Sequence, residues 1–87
     1  MNQYVKVDIK EDCILFNLNE TAARTPMSEI KRELENYVQN SHKMVEHEAD
    51  TRYAEIEDCY RRYAELLLEH INAGKNLPQY KSYSLNA

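Results

Sequence analysis

From Tyr4 to Lys10 apolar and polar side chains alternate, with Val5, Val7 and Ile9 on one side and Tyr4, Lys6, Asp8 and Lys10 on the other. A period of two carried by β-branched residues predicts a half-buried strand. Glu11-Asp12 is a polar break, and Cys13 to Leu18 is a second run, dense enough to predict burial on both faces. Two runs this close predict an antiparallel hairpin over 4–18. No Asn-Gly or Asp-Gly fixes its turn, so the pattern leaves the register open. A bare hairpin is marginal in water and must pack on a helix or extend a sheet. Asn17 to Arg24 reads as a polar connection, with Glu20 to Arg24 able to form one helical turn.

The period then changes. Between Thr25-Pro26 and Ala73-Gly74 there is no internal Pro or Gly, and the register Leu34-Val38-Ser41-Val45-Ala49-Arg52-Ile56-Tyr60-Tyr63-Leu67-Ile71 advances by about 3.7 residues per step. That spacing predicts helix over 26–73, with a seam that runs straight or slightly right-handed, unlike the left-handed supercoil of a heptad coiled coil. Thr25 is the expected N-cap with Pro26 at the first helical position, and Glu29 suits the positive end of the helix dipole. Gly74 is the expected left-handed stop, and Pro78 prevents resumption. Gln39 to Lys43, five polar residues of middling propensity, is the weakest point, and a break is expected there if anywhere.

A continuous helix of this length would measure about 70 Å, whereas a compact chain of this size has a radius of gyration of about 12 Å. Either the helix folds back near residues 39–43 or it pairs with another copy. In both cases two short strands leave apolar surface unsatisfied around Tyr53 to Ile71, so self-association is expected, as a homodimer. The tail, 75–87, reads as an extended or flexible segment, with a strand added to the hairpin edge as the alternative, because bare strands carry unpaired donors and acceptors.

Composition narrows the class. The chain has 87 residues, so it is expected to form a single small domain that buries only about 60–65% of its unfolded surface. Seven Tyr, one Phe and no Trp favour half-wet seams and interfaces over a dry core. A net charge of −4 disfavours nucleic acid as a partner. Cys13 and Cys59 lack CxxC spacing and read as reduced thiols. Neither a signal-peptide pattern nor an 18-residue apolar run occurs, so a soluble cytoplasmic protein with no membrane contact is expected.

The candidate chemistry is sparse. His42 with Glu46 and His47 with Asp50 share helical faces, but no Glu-x-x-His occurs and His70 stands apart, so no metal site is expected. Cys59 has Glu55 and Tyr63 one turn away and no local His, and the single Gly is a helix stop, so neither a nucleophilic site nor a phosphate cradle is expected. The acidic stretch Glu46 to Asp58 reads first as a solvated face supported by pairs such as Glu48–Arg52 and Glu57–Arg61, and second as a surface for a basic partner. Tyr60-Arg61-Arg62-Tyr63, with Tyr53 two turns earlier, is the most suggestive cluster, because Tyr and Arg concentrate binding energy at interfaces. Its plainer reading places the tyrosines in a seam and pairs the arginines with Glu57, Asp58 or Glu65.

The expected fold class is therefore α+β, mostly α: an N-terminal β-hairpin followed by one long helix or a helical hairpin broken near residues 39–43, self-associating. The leading functional expectation is a non-enzymatic protein–protein interaction module, a small homo-oligomeric adaptor or inhibitor of the kind phages and mobile elements encode, with no catalytic residues and no cofactor. Tyr53, Tyr60, Arg61, Arg62 and Tyr63 are the candidate partner- or ligand-binding residues. One alternative is a binder of a small anionic, nucleotide-like ligand at a helical dimer interface. Another is a small DNA-binding regulator of ribbon-helix-helix type, for which the second helix is too long and the strands too acidic.

Overall fold

The computed structural model describes residues 3–45 and 51–84, with side chains described except at 41–45 and 51–54. The expected hairpin is present. β1 (Val5–Ile9) and β2 (Cys13–Leu18) run antiparallel with Val5 opposite Leu18, Val7 opposite Phe16 and Ile9 opposite Ile14. The register follows the apolar pattern, since it puts all six of those side chains on one face, and a slip by one residue would turn each strand over. Ile14 and Phe16 are fully buried, while Cys13, Leu15, Asn17 and Leu18 are only half-buried. Burial of β2 on both faces, expected from its apolar density, is thus not found. Its odd-numbered residues lie on the outer face of a sheet that packs through the other face.

Two short elements reset the path. Asn19 caps α1 (Glu20–Arg24), its side-chain oxygen accepting the Ala22 amide at 3.0 Å. Thr25 is extended (φ −97°, ψ 136°) and closes α1, as a residue preceding proline must, since the ring of Pro26 disfavours its helical conformation. The expected N-cap role of Thr25 is corrected here. Its hydroxyl donates backwards to the Thr21 carbonyl, and the carbonyl of Pro26 receives the first amides of the next helix, from Glu29 and Ile30.

The helical region consists of α2 (Met27–Val45) and α3 (Thr51–Asn72), packed on each other. The break expected at 39–43 is not found there, because those residues lie within α2. Asn40 donates its side-chain amide to the Asn36 carbonyl at 2.8 Å, one turn back on the same helix. Differences in propensity of a few tenths of a kcal/mol do not break a helix whose apolar face has a tertiary partner. At its other end α3 stops as the sequence predicts. Gly74 sits at φ 69°, its amide bonds the Ile71 carbonyl, and the Lys75 amide bonds the His70 carbonyl. These are the two hydrogen bonds of a Schellman motif. A Cβ at Gly74 would meet nothing within 4 Å, so only the backbone conformation opposes substitution. Gly74→Ala is expected to lower stability by about 1–2 kcal/mol, read as an earlier urea midpoint with unchanged slope.

The tail is a strand. β3 (Tyr80–Ser84) pairs antiparallel with β2, Ile14 opposite Tyr83 and Phe16 opposite Lys81, giving the sheet order β1-β2-β3. The seam expected to remain open around Tyr53 to Ile71 is closed from Ile56 onward by the chain itself. Tyr60, Tyr63, Ala64 and Leu67 join Ile30, Leu34, Tyr37, Ile14 and Phe16 in one core, with Ile56, Leu66, Leu68 and Ile71 half-buried around it. The extra cover comes from the third strand and from α2. The radius of gyration is 12.9 Å.

Candidate interaction surfaces

The centre of the core is aromatic. Phe16 stacks on Tyr63 (centroids 5.0 Å apart, planes at 16°) and meets Tyr60 and Tyr83 edge-on at 5.9 and 5.5 Å, and Tyr60 meets Tyr37 edge-on at 4.7 Å. Two hydroxyls reach partners at the rim. Tyr63 donates to the Pro78 carbonyl at 3.1 Å, tying the loop before β3 to α3, and Tyr37 donates to the Glu57 carboxylate. The His70 ring also holds that loop, through Nδ1 to the Asn76 carbonyl at 3.0 Å.

This arrangement places the sequence candidates. Tyr60 is 6% exposed and Tyr63 is 0% exposed, so neither presents a ring to a partner. Burial pushes the Tyr63 hydroxyl up to about 12, with Tyr83 adding to the shift, and it raises the Tyr60 hydroxyl further, with Glu57 next. Arg61 and Arg62 converge on one carboxylate: Asp58 receives Arg61 at 2.7 Å and Arg62 at 3.0 Å, and Arg61 reaches Glu65 at 3.0 Å. Of the expected carboxylate partners, Glu57 instead accepts from Tyr37, so the Glu57–Arg61 pair does not form. The Tyr53 side chain lies outside the described residues, as do those of His42, Glu46, His47 and Asp50 and the Glu48–Arg52 pair. Of the four candidates with described side chains, Tyr60 and Tyr63 are buried and Arg61 and Arg62 lie at the surface beside Asp58. Those whose side chains are described are engaged within the chain.

Cys13 and Cys59 are both free thiols. Burial pushes the Cys59 thiol up, and Asp58 and Glu55 reinforce the shift against Arg62, which is opposite to the activation a nucleophile requires. Among the described residues no cluster of three or more His, Cys, Asp or Glu is gathered for a metal, and no helix is long and apolar enough to cross a membrane.

Two surfaces remain open. One is a cleft of about 560 Å³ beside α1, the start of α2 and the loop before β3, lined by Leu18, Ala22, Ala23, Met27, Leu77 and Lys75 among others. Met27 is 47% exposed there. The other is the outer edge of β1; the sequence points to the hairpin edge as a contact surface, but side-chain alternation does not say which backbone groups face outward. The Lys10 amide bonds the Cys13 carbonyl at 2.8 Å, and the Asn19 amide bonds the Tyr4 carbonyl at 3.1 Å. Both pairs belong to the β1–β2 register, so by antiparallel alternation Lys6 and Asp8 also turn their backbone groups toward β2. Val5, Val7 and Ile9 then turn theirs outward, on a strand with no neighbour on that side. Among the described residues no further backbone group bonds to them. No known protein family, curated protein or solved structure matches the chain.

Proposed function

We propose that the chain is a non-enzymatic protein–protein interaction module, a small adaptor or inhibitor that acts by strand addition at the β1 edge. The outward backbone groups of Val5, Val7 and Ile9 carry this reading. They form a row of donors and acceptors with no partner among the described residues, beside Ile9, an apolar side chain 49% exposed. Such an edge is either blunted or used. Among the described residues no proline, bulge or covering strand blunts it. Support also comes from the burial of Tyr60 and Tyr63, whose rings belong to the core, and from the net charge of −4, which disfavours nucleic acid as the partner.

The test compares the chain with Val7→Pro as immobilised baits in lysate of the native host, after circular dichroism shows both folded. Proline at position 7 removes an outward amide and leaves the β1–β2 bonds intact. A host protein or further copies of the chain retained by the unaltered bait and lost from Val7→Pro supports the reading. Retention indifferent to the substitution, or no retention together with a one-chain mass in solution, overturns it.

A further inference from the structure

We infer that the β1 edge is built to pair with β1 of a second copy, antiparallel about a two-fold axis at Val7; this rests on the strand-addition reading and names its occupant. The backbone permits several registers, and the side chains favour the one with the fullest overlap of the two strands over its two neighbours. Because Val5, Val7 and Ile9 face outward, they must oppose one another in the hydrogen-bonded pairs of any β1–β1 ladder, so successive registers differ by two residues. With Val7 opposite Val7, Val5 faces Ile9 of the second copy and both backbone bonds form at each of these pairs. On the other face Lys6 then lies opposite Asp8 of the second copy, and Asp8 opposite its Lys6. One step either way destroys this, setting Lys6 against Lys6 or Asp8 against Asp8 on the axis, and like charges directly opposite are destabilising.

The two charges are otherwise unemployed. Lys6 is exposed and Asp8 half-buried, and neither has an ion pair or side-chain hydrogen bond among the described residues. A lone lysine on an edge strand discourages pairing. A lysine and an aspartate two residues apart on one face discourage the two registers next to the one that matches them. The same register buries Ile9, the most exposed apolar side chain of β1, against Val5 of the second copy. An isologous contact of this kind closes at two copies, giving a continuous six-stranded sheet in the order β3-β2-β1-β1-β2-β3. The other edge offers no such selection, since Lys81 is the only charged residue of β3.

Sedimentation equilibrium of the full chain and its variants tests the pairing. The unaltered chain is expected at twice the chain mass in the micromolar range. Lys6→Glu and Asp8→Lys should each weaken the dimer roughly tenfold or more, because two attractive pairs become two repulsive ones. Mixed in equal amounts they should form a heterodimer, as Glu at 6 meets Lys at 8 and Asp8 meets Lys6. Both positions lie on the outer face, and the mixture also reports that each variant folds. Amide exchange gives a second readout: concentration-dependent protection at Val5, Val7 and Ile9, with none added at Lys6 and Asp8. A one-chain mass at micromolar concentration overturns the inference, as does a dimer indifferent to both reversals or a mass above two copies. If that one-chain mass is found while the unaltered bait still retains a host protein that Val7→Pro loses, the second copy is wrong and the strand-addition reading stands.

Discussion

Phe16→Ala is expected to leave most of the chain unfolded at room temperature. Phe16 is fully buried on the central strand, and three tyrosine rings from two other elements close on it: Tyr60 and Tyr63 from α3 and Tyr83 from β3. Truncating a buried phenylalanine removes its transfer free energy and leaves a cavity, together about 3–5 kcal/mol. Aromatic pairs add about 0.5–1.5 kcal/mol beyond the area they bury. A chain of 87 residues has a total margin of roughly 4–13 kcal/mol. The loss is therefore comparable with the whole stability at the lower end of that range. Neither neighbour can collapse into the gap, because Tyr63 is tethered at its hydroxyl to the Pro78 carbonyl and β3 is fixed by its ladder to β2. Urea unfolding followed by circular dichroism reads the result as a midpoint near zero denaturant. A fall below about 1 kcal/mol would mean that the aromatic cluster is not the core. Phe16→Leu, which keeps most of the volume, should fall between the two.

The position of that cluster shows what the sequence could and could not say. The alternation of Val5, Val7 and Ile9 and the Gly74 stop are local signals with a single physical meaning, and both appear in the fold. The periodicity of Tyr60 and Tyr63 puts them on an apolar seam but does not say what covers it. Covering depends on Tyr80 to Ser84 returning to β2 across more than 60 residues of sequence, a pairing that no local pattern encodes. The tethers that order this return, Tyr63 to Pro78 and His70 to Asn76, are likewise contacts between side chain and loop backbone. The same gap explains Thr25. Its residue type suits a cap, yet the proline that follows and the short helix capped by Asn19 decide its role. Asn19 three residues ahead of Ala22, before Glu20, was the available signal for α1. The β1 edge needed more than any pattern of side chains, since backbone direction follows only from the register.

The chain is also expected to unfold cooperatively in alkali, between pH 10 and about 12. The cause is the protonation of the buried tyrosines. Burial raises the hydroxyl of Tyr63 to about 12, and that of Tyr60 is raised as well, by burial and then by the Glu57 carboxylate. In the unfolded chain both would ionise near the ordinary value of about 10. A group whose proton is held more tightly in the fold contributes stability that is complete below the unfolded value. Above it the unfolded state sheds protons that the fold keeps, and each lagging tyrosine removes about 1.4 kcal/mol per pH unit until its own folded value is reached. With Tyr60 and Tyr63 lagging together, two pH units are a large part of the margin of so small a chain. Tyrosinate absorbance near 295 nm and circular dichroism should therefore change together and steeply. Tyr63→Phe removes one titrating group and should shift the transition to higher pH. At neutral pH it should cost about 1 kcal/mol, because the Pro78 carbonyl loses its donor. A smooth titration of all tyrosines near pH 10, with circular dichroism unchanged, would show that Tyr60 and Tyr63 are open to solvent and that the packing against Phe16 is not the native one.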